Sequence, residues 1–325
     1  MIETLLKIVE FCSLYYQPSL LPVIFVVLCT TGLLTSYLLA AFLQHDVSPI
    51  FPRISHTGNF PPASMIFSFT LGMAAILLIL ISHVTFSAMK TYANYVYQQN
   101  IESLQRINSL ADSSALKEFK LQYIRNLKFN QLSLCCGVLT GVGALGVGTF
   151  QVTYSKVLHY LPLVLMVIAG YSYSILHTIN SRAFLDGIMQ LSQRSYLFKL
   201  RVTVTIAGAI SLFGMFVFTI IGRIKWEPSV SCSKEEIVLW QAFKNCSKRN
   251  HNWRNGDGGF VYFAISNVGQ WLWLASFFVF VFTIRNELNC HAHQERKEKQ
   301  EGSSSCQLNE TDFYLEQSVN VTTIN

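Results

Sequence analysis

The chain has 325 residues, of which 51% are hydrophobic and only 13% are charged, and its net charge is +6. Soluble globular domains carry roughly 25% charged residues, so this composition excludes an ordinary water-soluble domain and indicates a chain solvated by lipid. The net charge is small, and the sequence has no basic cluster with interleaved aromatic residues, which argues against nucleic acid as a partner.

Six long charge-free intervals predict an all-α polytopic membrane protein. A helix needs about 20 apolar residues to cross a bilayer, and unpaired peptide groups are too costly in hydrocarbon for any open strand. We therefore predict a single membrane domain over residues 20–288, with a cytosolic N-terminus at 1–19 and a disordered cytosolic tail at 289–325. In chain order, the predicted spans are residues 20–43, 63–88, 131–152, 157–180, 202–222 and 260–284.

A polar stretch, RISHTGNFPP at residues 53–62, joins the first two spans. Proline fixes φ and glycine permits tight turns, so the stretch predicts a short preset cap. Two roles stay open: the cap seals the outer ends of the first two helices, or it contacts a lipid headgroup or a partner directly. Arg53 would then meet a phosphate and His56 would respond to an acidic compartment. The candidate residues for either role are Arg53, Ser55, His56, Thr57, Gly58, Pro61 and Pro62.

The connection at residues 89–130 is long for a protein of six spans. Apolar residues recur there at helical spacing and alternate with Lys117, Lys120, Arg125 and Lys128. A basic amphipathic helix of this kind suits an anionic leaflet, at about 1 kcal/mol per basic residue near the surface. The alternative is a solvated extension of the two adjoining spans. Membrane lipids are the expected partners, with anionic lipid binding through this segment.

The third span contains GVGALGVG at residues 141–148, which matches the glycine pattern of a dinucleotide-binding loop. That pattern has its meaning only between a strand and a helix of a soluble unit, and here it lies inside an apolar span. Small residues let neighbouring membrane helices approach closely. We therefore interpret Gly137, Gly141, Ala144 and Gly148, which share one helix face, as a packing surface.

No Asp, Glu, Lys or Arg lies inside a predicted span, and among the titratable residues there we single out His83 and His177. Ionisable residues at mid-membrane mark ion and proton paths, so their absence argues against an ion channel or a coupled transporter. The sequence also shows no phosphate-binding loop, no zinc motif and no nucleophile motif. We therefore expect neither catalysis nor a cofactor or metal.

Charge and glycosylation signals predict one orientation in the membrane. With six spans, 15 Lys and Arg residues lie on the side of the termini and nine on the other, which places both termini in the cytosol. Asn245 is a glycosylation acceptor in the loop assigned to the opposite side. Cys232 and Cys246 lie in that loop and would form a disulfide in an oxidising compartment; the alternative is a pair of free thiols and an unused acceptor.

Several of these stretches together resemble one family. ISHTGNFPP at 54–62 is similar to the ISDTG-x-x-PP signature of the DRAM family, the damage-regulated autophagy modulators and their macroautophagy-modulator relatives. Residues 134–151 resemble the family's Gly-rich third span, and Arg201 with KWEP at 225–228 resembles the boundaries of its fifth. Gln270-Trp271 stands in a similar final span, where the family usually has Glu-Trp.

This resemblance covers most of residues 20–290, with two carboxylates replaced, by His56 and by Gln270. Residues 89–130 and 229–258 look like insertions relative to the family. The resemblance implies a non-enzymatic modulator of autophagy in the lysosomal or endosomal membrane, with a link to apoptosis. The alternative is a protein that handles a phosphoinositide, a sterol or a GPI lipid at the plasma membrane. No sequence feature identifies a protein partner.

Overall fold

The computed structural model describes residues 17–107, 113–185, 191–225 and 258–321. Within these ranges the chain is helical, and a 3₁₀ turn at Pro18–Leu20 and a π-helical turn at Leu39–Leu43 flank the first helix. The helices, in chain order, are α1 (Leu21–Leu38), α2 (Ile54–Thr57), α3 (Ala63–Ile107), α4 (Ser113–Thr149), α5 (Lys156–Leu185), α6 (Leu191–Ile224) and α7 (Phe260–Val321).

Six segments of the described chain are long and apolar enough to cross a membrane, and each overlaps one predicted span. They are Pro18–Leu43, Ala63–Ser103, Lys117–Thr149, Lys156–Arg182, Ser195–Ile224 and Phe260–Cys290. The prediction of an all-α protein with six spans is therefore confirmed. Helices α3 to α7 continue beyond the predicted spans into the flanking residues.

Most of residues 89–130 form extensions of α3 and α4, which was the second alternative for this segment. The two extensions pack on each other through the rings of Tyr97 and Tyr123, whose centroids lie 4.6 Å apart, and the Tyr123 hydroxyl donates to Asn94 Oδ1 at 2.7 Å. Arg125 and Lys128 lie on the exposed side. Contact of these cations with anionic lipid stays a prediction.

Helix α7 runs to Val321, through most of the tail that composition predicts as disordered from residue 289. The structure thus differs from that prediction. Residues 294–301 read QERKEKQE, and Glu, Gln, Lys and Arg are strong helix formers. Low hydrophobicity indicates that a segment lacks a core of its own, but it does not prevent the continuation of a helix that is already nucleated.

The centre of the bundle is a cluster of buried side chains from α1, α3, α5 and α7, among them Phe25, Ile81, Tyr173, Phe280 and Ile284. The Phe25 ring meets the Phe278 ring edge-on, with the centroids 5.8 Å apart. Strong packing joins α3 to α4, α4 to α5, and α6 to α7, whereas α5 packs only lightly on α6.

Candidate functional site: a docked cap and a buried ionic cluster

Residues 44–62, termed the cap, fold back over one end of the bundle. The Asp46 N–H donates to the Ala40 carbonyl at 2.8 Å, which turns the chain immediately after the first span. His45 and Phe51 have φ of 51° and 42°, in the left-handed region that residues other than glycine rarely adopt. The short helix α2 follows, and α3 begins at Ala63. The cap is thus a defined structure between two spans.

The cap is held to α7 by Gln270 and Trp271. The Ile54 N–H donates to Gln270 Oε1 at 2.9 Å, and the Trp271 indole N–H donates to the Pro52 carbonyl at 3.0 Å. Gln270 is buried, so water does not compete for its amide oxygen. An amide oxygen accepts this hydrogen bond as a carboxylate oxygen would, so Gln270 can take the place of the Glu that the family resemblance implies at this position.

Arg53 connects the cap to α6 and α7 rather than projecting into solvent. Its Nη2 donates to Thr219 Oγ1 at 3.0 Å, and its guanidinium lies 5.2 Å from the centroid of the Phe263 ring. Burial lowers the pKa of the Arg53 guanidinium through desolvation. Arginine remains charged in proteins even so. The residue predicted to meet a phosphate therefore has partners inside the protein.

The rest of the cap packs on α1, α3 and α7. His56 is buried and stacks on Phe263, with ring centroids 6.4 Å apart. The Thr57 carbonyl lies 3.1 Å from the Ser36 hydroxyl of α1. A Cβ on Gly58 would lie 2.4 Å from the Phe67 ring, so only glycine fits there without a shift. Ser55 is half-buried, and Pro61 and Pro62 are exposed.

These contacts show what the cap covers. Sequence reasoning placed it over the ends of the first two spans, and the structure adds the ends of α6 and α7. The partners on α7 lie more than 200 residues along the chain from the cap, so no local pattern indicates them. The resemblance of Gln270-Trp271 to a family motif was the one available signal.

We predict that Gln270→Leu loosens the cap. The substitution removes the acceptor of a buried N–H, and an unsatisfied buried donor costs about 1–3 kcal/mol. Hydrogen exchange followed by mass spectrometry on a peptide around Ile54 should therefore become about 5- to 100-fold faster. Gln270→Glu, which keeps an acceptor oxygen, is the matched control and should stay close to the native rate. Equal protection in both variants would show that Gln270 does not hold the cap.

A cluster of charged side chains lies near the opposite end of the bundle from the cap. Arg201 of α6, Glu287 of α7 and His177 of α5 are 1%, 2% and 1% exposed. Arg201 Nη1 donates to Glu287 Oε1, and His177 Nε2 lies 2.9 Å from Glu287 Oε2. Arg201 also donates to Thr283 Oγ1 and Ser181 Oγ, both at 2.8 Å. This ionic cluster joins three helices through one carboxylate.

The ionic cluster lies beside two predicted spans, since Arg201 comes directly before residues 202–222 and Glu287 follows residues 260–284. The helices run past both charges and bury them against each other. Sequence reasoning took these charges only as boundaries and missed their pairing. His177 was the one visible signal; His83, the other titratable residue noted, is half-buried and does not belong to the cluster.

The small residues of α4 pack as two faces. A Cβ on Gly137 would lie 2.0 Å from Ser82 Oγ, and one on Gly141 would lie 2.9 Å from the Ala75 carbonyl oxygen, so this face meets α3. Gly148 also faces α3, and Ala144 is buried. Gly143 and Gly146 face α5 instead. The three glycines of the nucleotide-like pattern thus divide between two helix neighbours.

The remaining sequence candidates can be placed briefly. Asn245, Cys232 and Cys246 lie outside the residues that the structure describes. Among the described residues, no group of three or more His, Cys, Asp or Glu side chains is arranged to hold a metal ion.

Comparison with known proteins gives the family. The model of the Frag1/DRAM/Sfk1/Cwh43P N-terminal domain matches residues 18–289, which include the cap and the ionic cluster. The chain belongs to this family. It is similar to the DNA damage-regulated autophagy modulator protein 1 of Xenopus laevis, with 27% identity over 230 residues, 67% of this chain and 80% of that protein. No solved structure matches the chain.

The alignments with a second group of relatives cover more of this chain. The DNA damage-regulated autophagy modulator protein 2 of Mus musculus is 24% identical over 282 residues, which is 84% of this chain and 88% of that protein. The Homo sapiens protein of the same name matches with the same identity and coverage. The resemblance noted in the sequence is therefore confirmed, and this family member is a multi-pass membrane protein.

Proposed function

We propose that this family member is a non-enzymatic modulator of autophagy that acts in the lysosomal or endosomal membrane, with a link to apoptosis. The observation that carries the proposal is the family match over residues 18–289, together with relatives named as autophagy modulators over most of their length. Among the described residues, the polar groups of the cap and the ionic cluster bond to other groups of the protein and hold helices together.

Localisation and autophagic flux test the proposal together. A copy tagged at the C-terminus and expressed at native level should co-stain with lysosomes. Depletion should change starvation-induced flux, measured as turnover of a lipidated autophagosome marker with and without a block of lysosomal acidification. Native protein should restore flux and cell survival. Plasma-membrane staining with unchanged flux and altered lipid asymmetry would contradict the proposal and favour lipid handling at the cell surface.

Rescue with a variant makes the test specific to the cap. Gln270→Leu should restore flux less well than Gln270→Glu at equal protein level, because only the second keeps an acceptor for the Ile54 N–H. Equal rescue by the two variants would show that the docked cap is not needed for the activity. The protein level of each variant is measured independently, by blotting of the lysosomal fraction.

Orientation in the membrane is proposed with both termini in the cytosol. We predict that endoglycosidase digestion shifts the gel mobility of the native protein and that Asn245→Gln abolishes the shift, because Asn245 then faces the lumen. Asn309 and Asn320 are acceptor sequences in the tail, which this orientation places in the cytosol, so Asn309→Gln and Asn320→Gln are the matched controls and should leave the shift intact. A shift that persists in Asn245→Gln but disappears in a tail variant would invert the topology.

A further inference from the structure

One exposed stripe of α4 runs without interruption from its membrane span into its extension. Its members follow one another at steps of four and three residues, which keeps them on one face of a helix. In chain order, they are Leu121, Arg125, Lys128, Leu132, Cys135 and Leu139. The helix is continuous from Ser113 to Thr149. The face that meets hydrocarbon in the span therefore carries two cations where the helix leaves it.

Counting along α4 places these two cations at the membrane surface. About 20 helical residues cross the hydrocarbon core. Counted back from Thr149, where the helix ends, they reach Asn130. At 1.5 Å per residue, Lys128 and Arg125 follow about 3 and 8 Å further along, within or close to the headgroup layer of about 5–7 Å. Both side chains thus lie at the depth of lipid phosphates.

The opposite face of the extension is already occupied. Tyr123 stacks on Tyr97 of α3 and donates to Asn94, which fixes the rotation of α4 about its axis. Arg125 and Lys128 consequently point away from α3, and neither forms an ion pair or a hydrogen bond with another described residue. These two cations are therefore available to a partner outside the bundle.

An open groove of about 580 Å³ lies along this face and combines the two cations with apolar side chains. Its apolar lining is Leu121, Ile124, Phe129 and Leu132, and Leu121 and Leu132 are 60% and 51% exposed. Basic and apolar side chains on one exposed face suit a molecule with an anionic head and a hydrocarbon chain. The acidic residue that also lines the groove, Glu118, lies two turns from Arg125, about 10 Å along the helix.

The extension of α3 has a different surface chemistry. Between residues 92 and 103, its exposed side chains are uncharged or acidic, and they are Asn94, Tyr95, Gln98, Gln99, Glu102 and Ser103. The positive charge of the paired extensions is thus concentrated on α4 in this range. A negatively charged headgroup would be attracted to the α4 side.

We propose that this groove binds a membrane phospholipid of net negative charge. Arg125 and Lys128 meet its anionic head, and Phe129 and Leu132 lie against an acyl chain. The planar guanidinium of arginine matches a phosphate with two hydrogen bonds, and lysine adds a second charge. The segment is therefore an extension of a span that also carries a lipid-binding face. The inference goes beyond the proposed function and does not depend on it.

Three double variants separate this site from charge in general. Arg125→Gln with Lys128→Gln removes both cations of the groove. Lys90→Gln with Lys199→Gln is the matched control, because it removes two exposed cations at the same end of the bundle, from α3 and α6, and changes the net charge equally. Arg125→Lys with Lys128→Arg keeps both charges. All four side chains are exposed, so the unfolding temperature should stay native in every variant.

The test uses the full-length protein in nanodiscs of phosphatidylcholine that contain a minor fraction of a probe lipid. The probe is phosphatidylserine or phosphatidylcholine, each with a diazirine near the carbonyl end of one acyl chain. After irradiation, mass spectrometry compares label on residues 121–132 with label on Ile210 and Phe213, exposed apolar residues of α6 that meet any lipid.

In the native protein, phosphatidylserine should label residues 121–132 more strongly than phosphatidylcholine does. Arg125→Gln with Lys128→Gln should lower this preference about fivefold or more, given the usual contribution of a basic residue near an anionic surface. The control and the charge-keeping variant should retain it. High salt should weaken it in the native protein, because added ions screen exposed charges.

Four results would overturn the proposal. Equal labelling by the two probes would show no preference for negative charge, and no label on residues 121–132 would place the groove in water. A preference that survives in the Gln variant, or that falls equally in the control, would show that Arg125 and Lys128 do not recognise the lipid. Because no readout here measures autophagic flux, such a failure leaves the proposed function to its own test.

Discussion

Removal of one charge from the ionic cluster should unfold or strongly destabilise the bundle, whereas removal of both should be tolerated. In Glu287→Met, Arg201 keeps its charge and loses its carboxylate partner, and in Arg201→Met the carboxylate is left with His177 alone. Breaking a buried ion pair in this way costs about 3–5 kcal/mol, because an uncompensated charge stays buried. In the double variant no such charge remains, so most of the lost stability should return.

Thermal unfolding of the detergent-solubilised protein, followed by size-exclusion chromatography, measures this prediction. Each single variant should unfold well below the native temperature, and the double variant should lie close to it. Glu102→Met and Arg125→Met are matched controls, since both side chains are exposed and surface charges contribute little. Single variants as stable as these controls would show that the Arg201–Glu287 pair does not support the fold.

The same variants separate a structural role of the cluster from a functional one. If the charges only hold α5, α6 and α7 together, the double variant should support autophagic flux as well as it supports folding. If the double variant is stable yet inactive in rescue, the charges themselves are used. Buried ionisable residues of membrane proteins are often functional, so the first result would assign the cluster a structural role and the second a functional one.

The sequence predicted the features that depend on composition or on residues close together. Charge-free intervals located all six spans, and the small residues of α4 indicated a packing helix, because both signals are local. Proline and glycine between the first two spans indicated a preset cap, and residues 44–62 form one. The cap's docking on α7 is different, since Gln270 and Ile54 are brought together only by the fold.

The features that sequence reasoning missed share a physical cause. Charged residues were taken to mark the ends of spans, which gave no indication that Arg201 and Glu287 are buried against each other. A charge is excluded from a bundle only when it has no partner there, and the identity of a partner is a property of the tertiary structure. The tail was predicted from its polarity alone, which does not decide whether a helix continues.

The packing of α4 leads to the second large effect. Replacing glycine with alanine should destabilise the protein at Gly143 but leave it unchanged or stabilise it at Gly214. At Gly143, a Cβ would lie 2.7 Å from the backbone nitrogen and 2.8 Å from the Cα of Met166 on α5. Backbone atoms cannot rotate away as a flexible side chain can, so Gly143→Ala must push α4 and α5 apart. At Gly214 no atom lies within 4 Å, and alanine fits freely.

We expect Gly143→Ala to destabilise the protein by about 1–3 kcal/mol, the usual cost of overpacking a close contact. Gly214→Ala should be neutral or stabilise by up to about 1 kcal/mol, because alanine favours the helix over glycine. Thermal unfolding in one detergent measures both, and Gly143→Ala should unfold at the lower temperature. A Gly143→Ala protein as stable as Gly214→Ala would mean that α4 and α5 do not approach as closely as described. The same outcome would remove the basis for interpreting these glycines as packing residues, since close backbone approach is the one property of glycine that this interpretation uses.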